Sequence, residues 1–142
     1  MILVLNILER SKASFLLIKD RQIIFEYNFI LERGEESILK ELNTFLKKKK
    51  VLLKDLKGLI LFIKEASLTQ VKVILTIINT LAWNFNIPVQ GKFYFSEDYQ
   101  KLLPVLIKKI ENSKNFKALD VEYKQKPNIT LSQKKIKYIL EQ

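Results

Sequence analysis

The chain has no cysteine and no histidine among its 142 residues. Without cysteine, disulfides and thiolate metal sites are excluded, and without histidine the chain lacks imidazole ligands and the commonest general base. Most hydrolase mechanisms are therefore ruled out. No carboxylate cluster takes their place, because the acidic candidates are scattered without a motif: Glu9, Asp20, Glu26, Glu65, Asp98 and Asp120. The sequence predicts no catalytic residue, no cofactor site and no metal site.

Glycine is also scarce, since Gly34, Gly58 and Gly91 are the only three in the chain. They are far apart, so no glycine-rich turn can bring several backbone amides against a phosphate. Arginine is equally rare, and lysine carries most of the formal net charge of +10. Phosphate and base recognition favours arginine, but a lysine-rich surface can bind RNA through counterion release. Direct RNA contact therefore stays an open alternative.

The chain is rich in apolar residues, which make up 48% of it. This content is enough for one domain with a hydrophobic core. Met1 leads directly into residues 2–5 with no basic stretch before them, and polar Asn6 follows too early for a signal peptide. Polar residues such as Asn79 interrupt the charge-free window 73–91, which argues against a membrane span. We therefore expect a cytoplasmic protein.

β-Branched and aromatic residues predict three strands at the start of the chain, over residues 2–6, 13–19 and 22–31. The short polar break Lys19-Asp20-Arg21 predicts an antiparallel hairpin between the second and the third. Alternate residues of the third strand are apolar and are expected to share one face: Ile23, Phe25, Tyr27 and Phe29.

An amphipathic helix is predicted over residues 35–49, and the lysine run at its end suits the helix dipole. The apolar run 59–63 predicts a strand covered on both faces. A long helix over residues 67–86 and a strand over 89–95 follow, separated by Pro88. Strands and helices thus alternate after an antiparallel start, which is typical of an α/β sandwich with a mixed sheet.

Two regions are predicted: an N-terminal α/β domain over residues 1–96, and a reduced C-terminal extension with a basic tail over residues 97–142. Within the extension, residues 97–114 favour a helix in two pieces, the second opened by Pro104. Residues 116–123 are a strand candidate, 124–128 a loop, and Ser132 is expected to cap a last helix to Leu140.

The helix predicted over residues 67–86 has an unusual outer side. An ordinary surface helix carries lysine or glutamate there. Opposite its core stripe, this one presents six residues with no lysine or glutamate among them: Thr69, Val73, Thr76, Ile77, Thr80 and Trp83. Either the same chain encloses this side or a partner covers it, and the pattern alone leaves both open.

Several local phrases resemble the TsaB family of bacterial proteins, also called YeaZ. Leu53-Lys54-Asp55-Leu56-Lys57-Gly58-Leu59-Ile60 resembles the family's turn into its fourth strand. Ser67-Leu68-Thr69 opens a long helix that closes with Asn86-Ile87-Pro88-Val89 and Gly91, as in the family. Residues 123–130, YKQKPNIT, resemble its C-terminal tyrosine-to-proline phrase. None of these phrases is a catalytic signature.

This resemblance implies an actin-like (ribonuclease-H-like, ASKHA) N-terminal domain with a mixed sheet, followed by a truncated second half-domain. It also implies a non-catalytic partner of the enzyme that forms threonylcarbamoyladenosine on tRNA. Two departures from the family are plain. Asn6 stands where the family has an aspartate in the first strand, and residues 64–70 replace a glycine-rich turn without any glycine. We therefore expect neither catalysis nor nucleotide binding.

By the same resemblance, a pairing face on the first and second helices joins a TsaD-like threonylcarbamoyltransferase subunit or forms a homodimer. The partner-binding candidates are Val73, Thr76, Ile77, Thr80 and Trp83 on the second helix, with Ser37, Glu41 and Thr44 on the first. Core packing is the alternative for Val73, Ile77 and Trp83. The candidates for RNA contact through the basic tail are Lys108, Lys109, Lys124, Lys126, Lys134 and Lys135.

Overall fold

The structure, a computed structural model, describes residues 1–31, 36–95 and 99–119. The described chain contains, in order, β1 (Ile2–Glu9), β2 (Lys12–Lys19), β3 (Gln22–Ile30), α1 (Glu36–Lys48), β4 (Gly58–Ile63), α2 (Leu68–Phe85), β5 (Val89–Phe93) and α3 (Tyr99–Glu111). The order of elements predicted up to β5 is confirmed.

The five strands form one mixed sheet in the order β3-β2-β1-β4-β5. β1, β2 and β3 pair antiparallel, whereas β4 pairs parallel with both β1 and β5. Every residue of β4 is buried, as predicted for a strand covered on both faces. The predicted hairpin between β2 and β3 is also confirmed. Its two-residue turn has Asp20 and Arg21 at φ 53° and 64°, the geometry of a type I′ turn.

Successive residues of a strand point to opposite faces, and the core is accordingly divided in two by the sheet. One layer contains Leu3 and Leu5 of β1 together with the buried side chains of α1 and α2. The other contains Ile2 and Val4 together with the buried side chains of α3. Helices α1 and α2 therefore cover one face of the sheet, and α3 covers the opposite face.

The prediction for β3 is right for three residues and wrong for one. Phe25, Tyr27 and Phe29 face the α1 and α2 layer as expected. An irregularity in the β2–β3 register then pairs Ile23 with Ile18, whose side chain belongs to the α3 layer. Because paired residues share a face, the bulge turns Ile23 to the opposite side of the sheet, where it is 40% exposed.

The predicted break at Pro104 is wrong, because α3 is one helix with Pro104 inside it. Pro104 is exposed, while Leu103, Leu106 and Ile107 beside it are buried against the sheet. Burial of this apolar stripe offsets the hydrogen bond that proline cannot donate.

The rest of the predicted C-terminal extension is described only in part. Residues 116–119 are not in a strand, contrary to the prediction. The remainder of that strand, the loop 124–128 and the helix Ser132–Leu140 lie outside the described residues, and the division after residue 96 stays a prediction. Among the described helices, none combines the length and hydrophobicity that crossing a membrane requires.

Candidate partner-binding surface

Helix α2 begins at a capping box. The Ser67 hydroxyl accepts a hydrogen bond from the Gln70 amide at 3.2 Å, and the Gln70 side chain accepts one from the Ser67 amide at 2.9 Å. The side-chain amide of Gln70 also donates to the Arg10 carbonyl at 2.7 Å, which ties the start of α2 to the β1–β2 turn. Two amides at this helix start are thus bonded within the chain, at the place where, by the TsaB resemblance, residues 64–70 replace a glycine-rich turn.

The helix ends at Asn86, which adopts a left-handed conformation with φ 48°. The Asn86 amide donates to the Trp83 carbonyl and the Ile87 amide to the Ala82 carbonyl, so the last turn is satisfied locally. Both ends of α2 are therefore fixed by its own sequence, and the direction of each side chain between them follows from the helical period.

The inner side of α2 is apolar and buried. Its buried residues are Val71, Ile74, Ile77, Ile78 and Ala82. Ile77 was expected on the partner-binding side, but it is only 8% exposed and belongs to the core shared with β1 and β4. Ile77 lies at the edge of the buried apolar stripe of α2, where it packs against other core residues. The structure therefore assigns Ile77 to core packing.

The outer side of α2 is exposed to solvent and carries a single charge. We define the α2 outer face as Thr69, Thr76, Thr80 and Trp83, all of which are exposed, with half-buried Val73 at its border. Lys72, the one charged residue of the helix, is also exposed on this side, because it lies one turn before Thr76 and three turns before Trp83. Trp83 is 66% exposed, more than an indole usually is when its own chain supplies the packing. The sequence left core packing open for Trp83, and the structure exposes its side chain.

One flank of α2 is covered by this chain's own residues 116–119. The Asn79 side chain donates to the Leu119 carbonyl at 3.0 Å and accepts from the Leu119 amide at 2.7 Å, and the Asn86 side chain accepts from the Phe116 amide. A Cβ atom on Gly91 of β5 would lie 2.7 Å from a Leu119 methyl group, so a larger residue at this position would have to displace the Leu119 side chain. Sequence analysis missed this contact, because Asn79 and Leu119 are 40 positions apart in the chain.

The candidates on α1 are half-buried and do not extend the α2 outer face. Glu41 accepts a hydrogen bond from the Tyr27 hydroxyl at 2.6 Å, and this bond raises the pKa of Tyr27. The Thr44 hydroxyl donates to its own helix at the Lys40 carbonyl. Glu41 therefore sits over β3, whereas α2 packs on β4 and β5, which are three and four strands away from β3 in the sheet. Ser37 is half-buried at the start of α1.

The RNA-contact candidates fall on the other side of the molecule or outside the described residues. Lys108 and Lys109 are exposed in the last turn of α3, on the sheet face opposite to α2. The other four, Lys124, Lys126, Lys134 and Lys135, lie beyond residue 119. The structure does not bring Lys108 and Lys109 together with the α2 outer face.

Asn6 stands at the position where, by the resemblance, the TsaB family has an aspartate. It is fully buried, and its side-chain oxygen accepts a hydrogen bond from the Tyr94 hydroxyl at 2.8 Å. Its side-chain nitrogen is a buried donor with no partner among the described residues. An amide supplies one neutral oxygen here, and Tyr94 already uses it, so the site does not offer the carboxylate that Mg²⁺ favours. Within residues 1–31, 36–95 and 99–119, no three acidic side chains gather as a metal site would need.

No protein-family model and no curated protein matches the sequence. Solved structures do match. YeaZ from Pseudomonas aeruginosa aligns with a TM-score of 0.54 and 16% identity over 63% of this chain and 42% of that one. A protein described as similar to peptidase YeaZ from the same organism aligns with a TM-score of 0.55 and 16% identity, over 63% and 41%.

The fold is YeaZ-like. The predicted actin-like architecture with a mixed five-stranded sheet is thereby confirmed. The chain spans less than half the length of these two YeaZ-like chains, at 42% and 41% of them. At 16% identity the likeness shows the fold alone.

Proposed function

We propose that the chain is a non-catalytic, TsaB-like subunit that binds and supports the transferase forming threonylcarbamoyladenosine on tRNA. The α2 outer face is the observation that carries the proposal, because three threonines and Trp83 are exposed there with Lys72 as the single charge. The YeaZ-like fold and the family-like phrases at residues 53–60 and 67–91 support it.

The chemistry of the α2 outer face suits another helix as its partner. Threonine side chains are short, so a second helix can approach α2 closely, and an exposed indole offers a large rigid surface to a partner pocket. Tryptophans at the centre of interfaces often weaken binding by about 2 kcal/mol or more when truncated. We therefore assign Trp83 as the anchor, with Thr76, Thr80 and Val73 around it.

The non-catalytic part of the proposal rests on two local features. Asn6 holds a neutral, buried amide bonded to Tyr94 in the first strand. The start of α2, where a phosphate-binding turn would lie, is closed by the Ser67–Gln70 capping box and by the bond to Arg10. A kinase or a nuclease on this scaffold needs an acidic metal ligand in the first strand and, for a nucleotide, free backbone amides.

Co-purification with the transferase subunit of the same genome tests the proposal. The full chain is co-expressed with that subunit, alone and as the double variant Thr80→Asp, Trp83→Asp. Both residues are exposed, so the variant keeps its fold, while burying two unpaired carboxylates in the contact costs several kcal/mol and abolishes the complex. Val105→Asp is the matched control, because Val105 is a 56% exposed apolar residue on α3, on the opposite side.

The results are decisive in either direction when the mass of the free chain is measured as well. Loss of the complex with the double variant, and not with Val105→Asp, supports the proposal. An unchanged complex, or no complex with the unaltered chain, overturns it. A free chain that has the mass of two copies, and that becomes monomeric in the double variant, assigns the α2 outer face to a self-dimerising scaffold instead.

A basic RNA-binding module is the remaining alternative, and exposed Lys108 and Lys109 favour it. Phosphate contacts by lysine make affinity fall steeply with salt. A tRNA gel shift at several salt concentrations, repeated with Lys108→Gln, Lys109→Gln, therefore tests it. Binding that is absent at low salt, or indifferent to salt, contradicts this alternative.

A further inference from the structure

A cavity of about 530 Å³ opens at the end of the sheet where β1 and β4 begin and β2 ends. Its volume lies in the range of about 300 to 1,000 Å³ that is usual for small-molecule sites. In open α/β sheets, ligands normally bind at the opposite end, beyond the carboxyl ends of the strands. The cavity is therefore separate both from the capped start of α2 and from the α2 outer face.

The inner part of the cavity is apolar. It is formed by one isoleucine from each of β1 and β2 and two from α3, all buried: Ile2, Ile18, Ile107 and Ile110. No charged group lies among them, so this part favours a hydrocarbon or aromatic surface over an ion.

The rim of the cavity carries the charge. Lys19, Arg21 and Lys57 line it together with Asp20 and Glu111. The Arg21 guanidinium pairs with Glu111, with one N–O distance of 3.1 Å, and so links the β2–β3 turn to the end of α3. Lys19 and Lys57 make no ion pair with any described residue, and neither does the Met1 ammonium, which also lines the cavity close to both lysines. These three cations are therefore available to an incoming anion.

The β2–β3 turn holds these groups in place in spite of its conformational cost. Arg21 has φ 64°, a region that disfavours side chains other than glycine and asparagine by about 1 kcal/mol. Its pair with Glu111 is largely exposed and contributes little stability. The turn therefore keeps Lys19 and Arg21 together at the cavity mouth by backbone geometry.

We propose that this cavity binds a small organic anion with an apolar body. The body lies against the four isoleucines, and the anionic group, a sulfonate, carboxylate or phosphate ester, is bound at the rim by Lys19 and Lys57. This arrangement explains why an apolar cavity has cationic residues at its mouth, and it does not depend on the proposed transferase contact.

Two fluorescent dyes of the same shape test the proposal on the full chain. 1-Anilinonaphthalene-8-sulfonate has an aromatic body and a sulfonate, and N-phenyl-1-naphthylamine has the same body without the charge. The double variant Lys19→Gln, Lys57→Gln is expected to weaken the sulfonate dye about tenfold and to leave the neutral dye unchanged. Lys40→Gln, Lys92→Gln is the matched control, since both lysines are exposed on other elements.

A third variant tests whether the dyes bind in this cavity. Ser113 lines it and is half-buried, so Ser113→Trp is expected to fill the space and to weaken both dyes. Far-ultraviolet circular dichroism and the urea-unfolding midpoint, unchanged in every variant, separate loss of binding from loss of folding. Absence of sulfonate-dye binding by the unaltered chain, equal effects of the two lysine pairs, or undiminished binding after Ser113→Trp would each overturn the proposal.

Discussion

Helices α2 and α3 cover opposite faces of the same sheet and differ in the polar groups around them. The outer side of α3 carries exposed Lys101, Lys108 and Lys109, whereas α2 carries Lys72 alone. Below the helices the contrast has the same direction. Both buried polar side chains of the described residues, Asn6 and Ser14, are paired across β1 and β2 and lie on the α3 side.

The contrast shows that position in the sheet does not by itself explain the character of α2. A helix whose outer side meets only water gains from charge there, as α3 does, because charge keeps the surface soluble. α2 also buries an apolar inner side, and yet it carries only one charge, Lys72, outside. The difference between the two helices therefore lies in what their outer sides are suited to contact.

The largest effect is expected on the inner side of α2. Ile77→Asp puts an unpaired carboxylate into the core, and about 3 to 5 kcal/mol of stability should be lost. Thr80→Asp, less than one turn away on the α2 outer face, should change stability by no more than about 0.5 kcal/mol. Urea unfolding of both variants measures the difference. Equal stabilities would mean that the inner and outer sides of α2 are wrongly assigned.

The next largest effect concerns the polar pair below α3. Asn6→Asp places a carboxyl group where water is excluded, and burial raises the pKa of such a group. The folded state then holds its proton more tightly than the unfolded state. The variant is therefore close to the unaltered chain near pH 4 and loses stability as pH rises, by about 2 to 3 kcal/mol at pH 7 if the pKa rises by about two units.

Urea unfolding at pH 5 and pH 7.5 measures this dependence on pH. Asn43→Asp on α1 is the control, because Asn43 is exposed and its new carboxylate stays hydrated. A deficit of the same size at both pH values would contradict the buried, water-free environment that the structure gives Asn6. A smaller deficit in the presence of Mg²⁺ would show that the new carboxylate binds the metal ion.

A smaller, spectroscopic effect is expected from the outer side of α2. Trp83 is the single tryptophan of the chain, so its emission reports the α2 outer face alone. At 66% exposure, the free chain should emit close to free tryptophan and be quenched readily by acrylamide. Addition of the transferase subunit should shift the emission to shorter wavelength. Blue-shifted emission that persists on dilution of the free chain would mean that the chain itself covers Trp83.

Periodicity predicted much of this arrangement, and its failures have physical causes. The alternation of apolar residues along strands and the helical period of α2 depend on local geometry. The mixed sheet and the buried inner side of α2 could therefore be predicted from the sequence. The burial of Ile77 depends on how far the core extends beside the stripe. The bulge that turns Ile23 is a property of strand pairing, and the bonds from Asn79 to Leu119 join residues 40 positions apart. A sequence pattern gives no information about how far the core extends, how two strands pair in register, or which distant residues come into contact.

The smallest effect expected is at Glu41, and it decides whether α1 shares the α2 outer face. The bond from the Tyr27 hydroxyl to Glu41 raises the pKa of Tyr27, so the folded state keeps this proton longer than the unfolded state does. Its stabilising contribution is complete below about pH 10 and is lost as pH rises through the raised pKa. Glu41→Gln should lower the pKa of Tyr27 in an NMR titration and leave transferase binding intact. An unchanged titration, together with a weakened complex, would instead place Glu41 in the interface and join α1 to α2 as one surface.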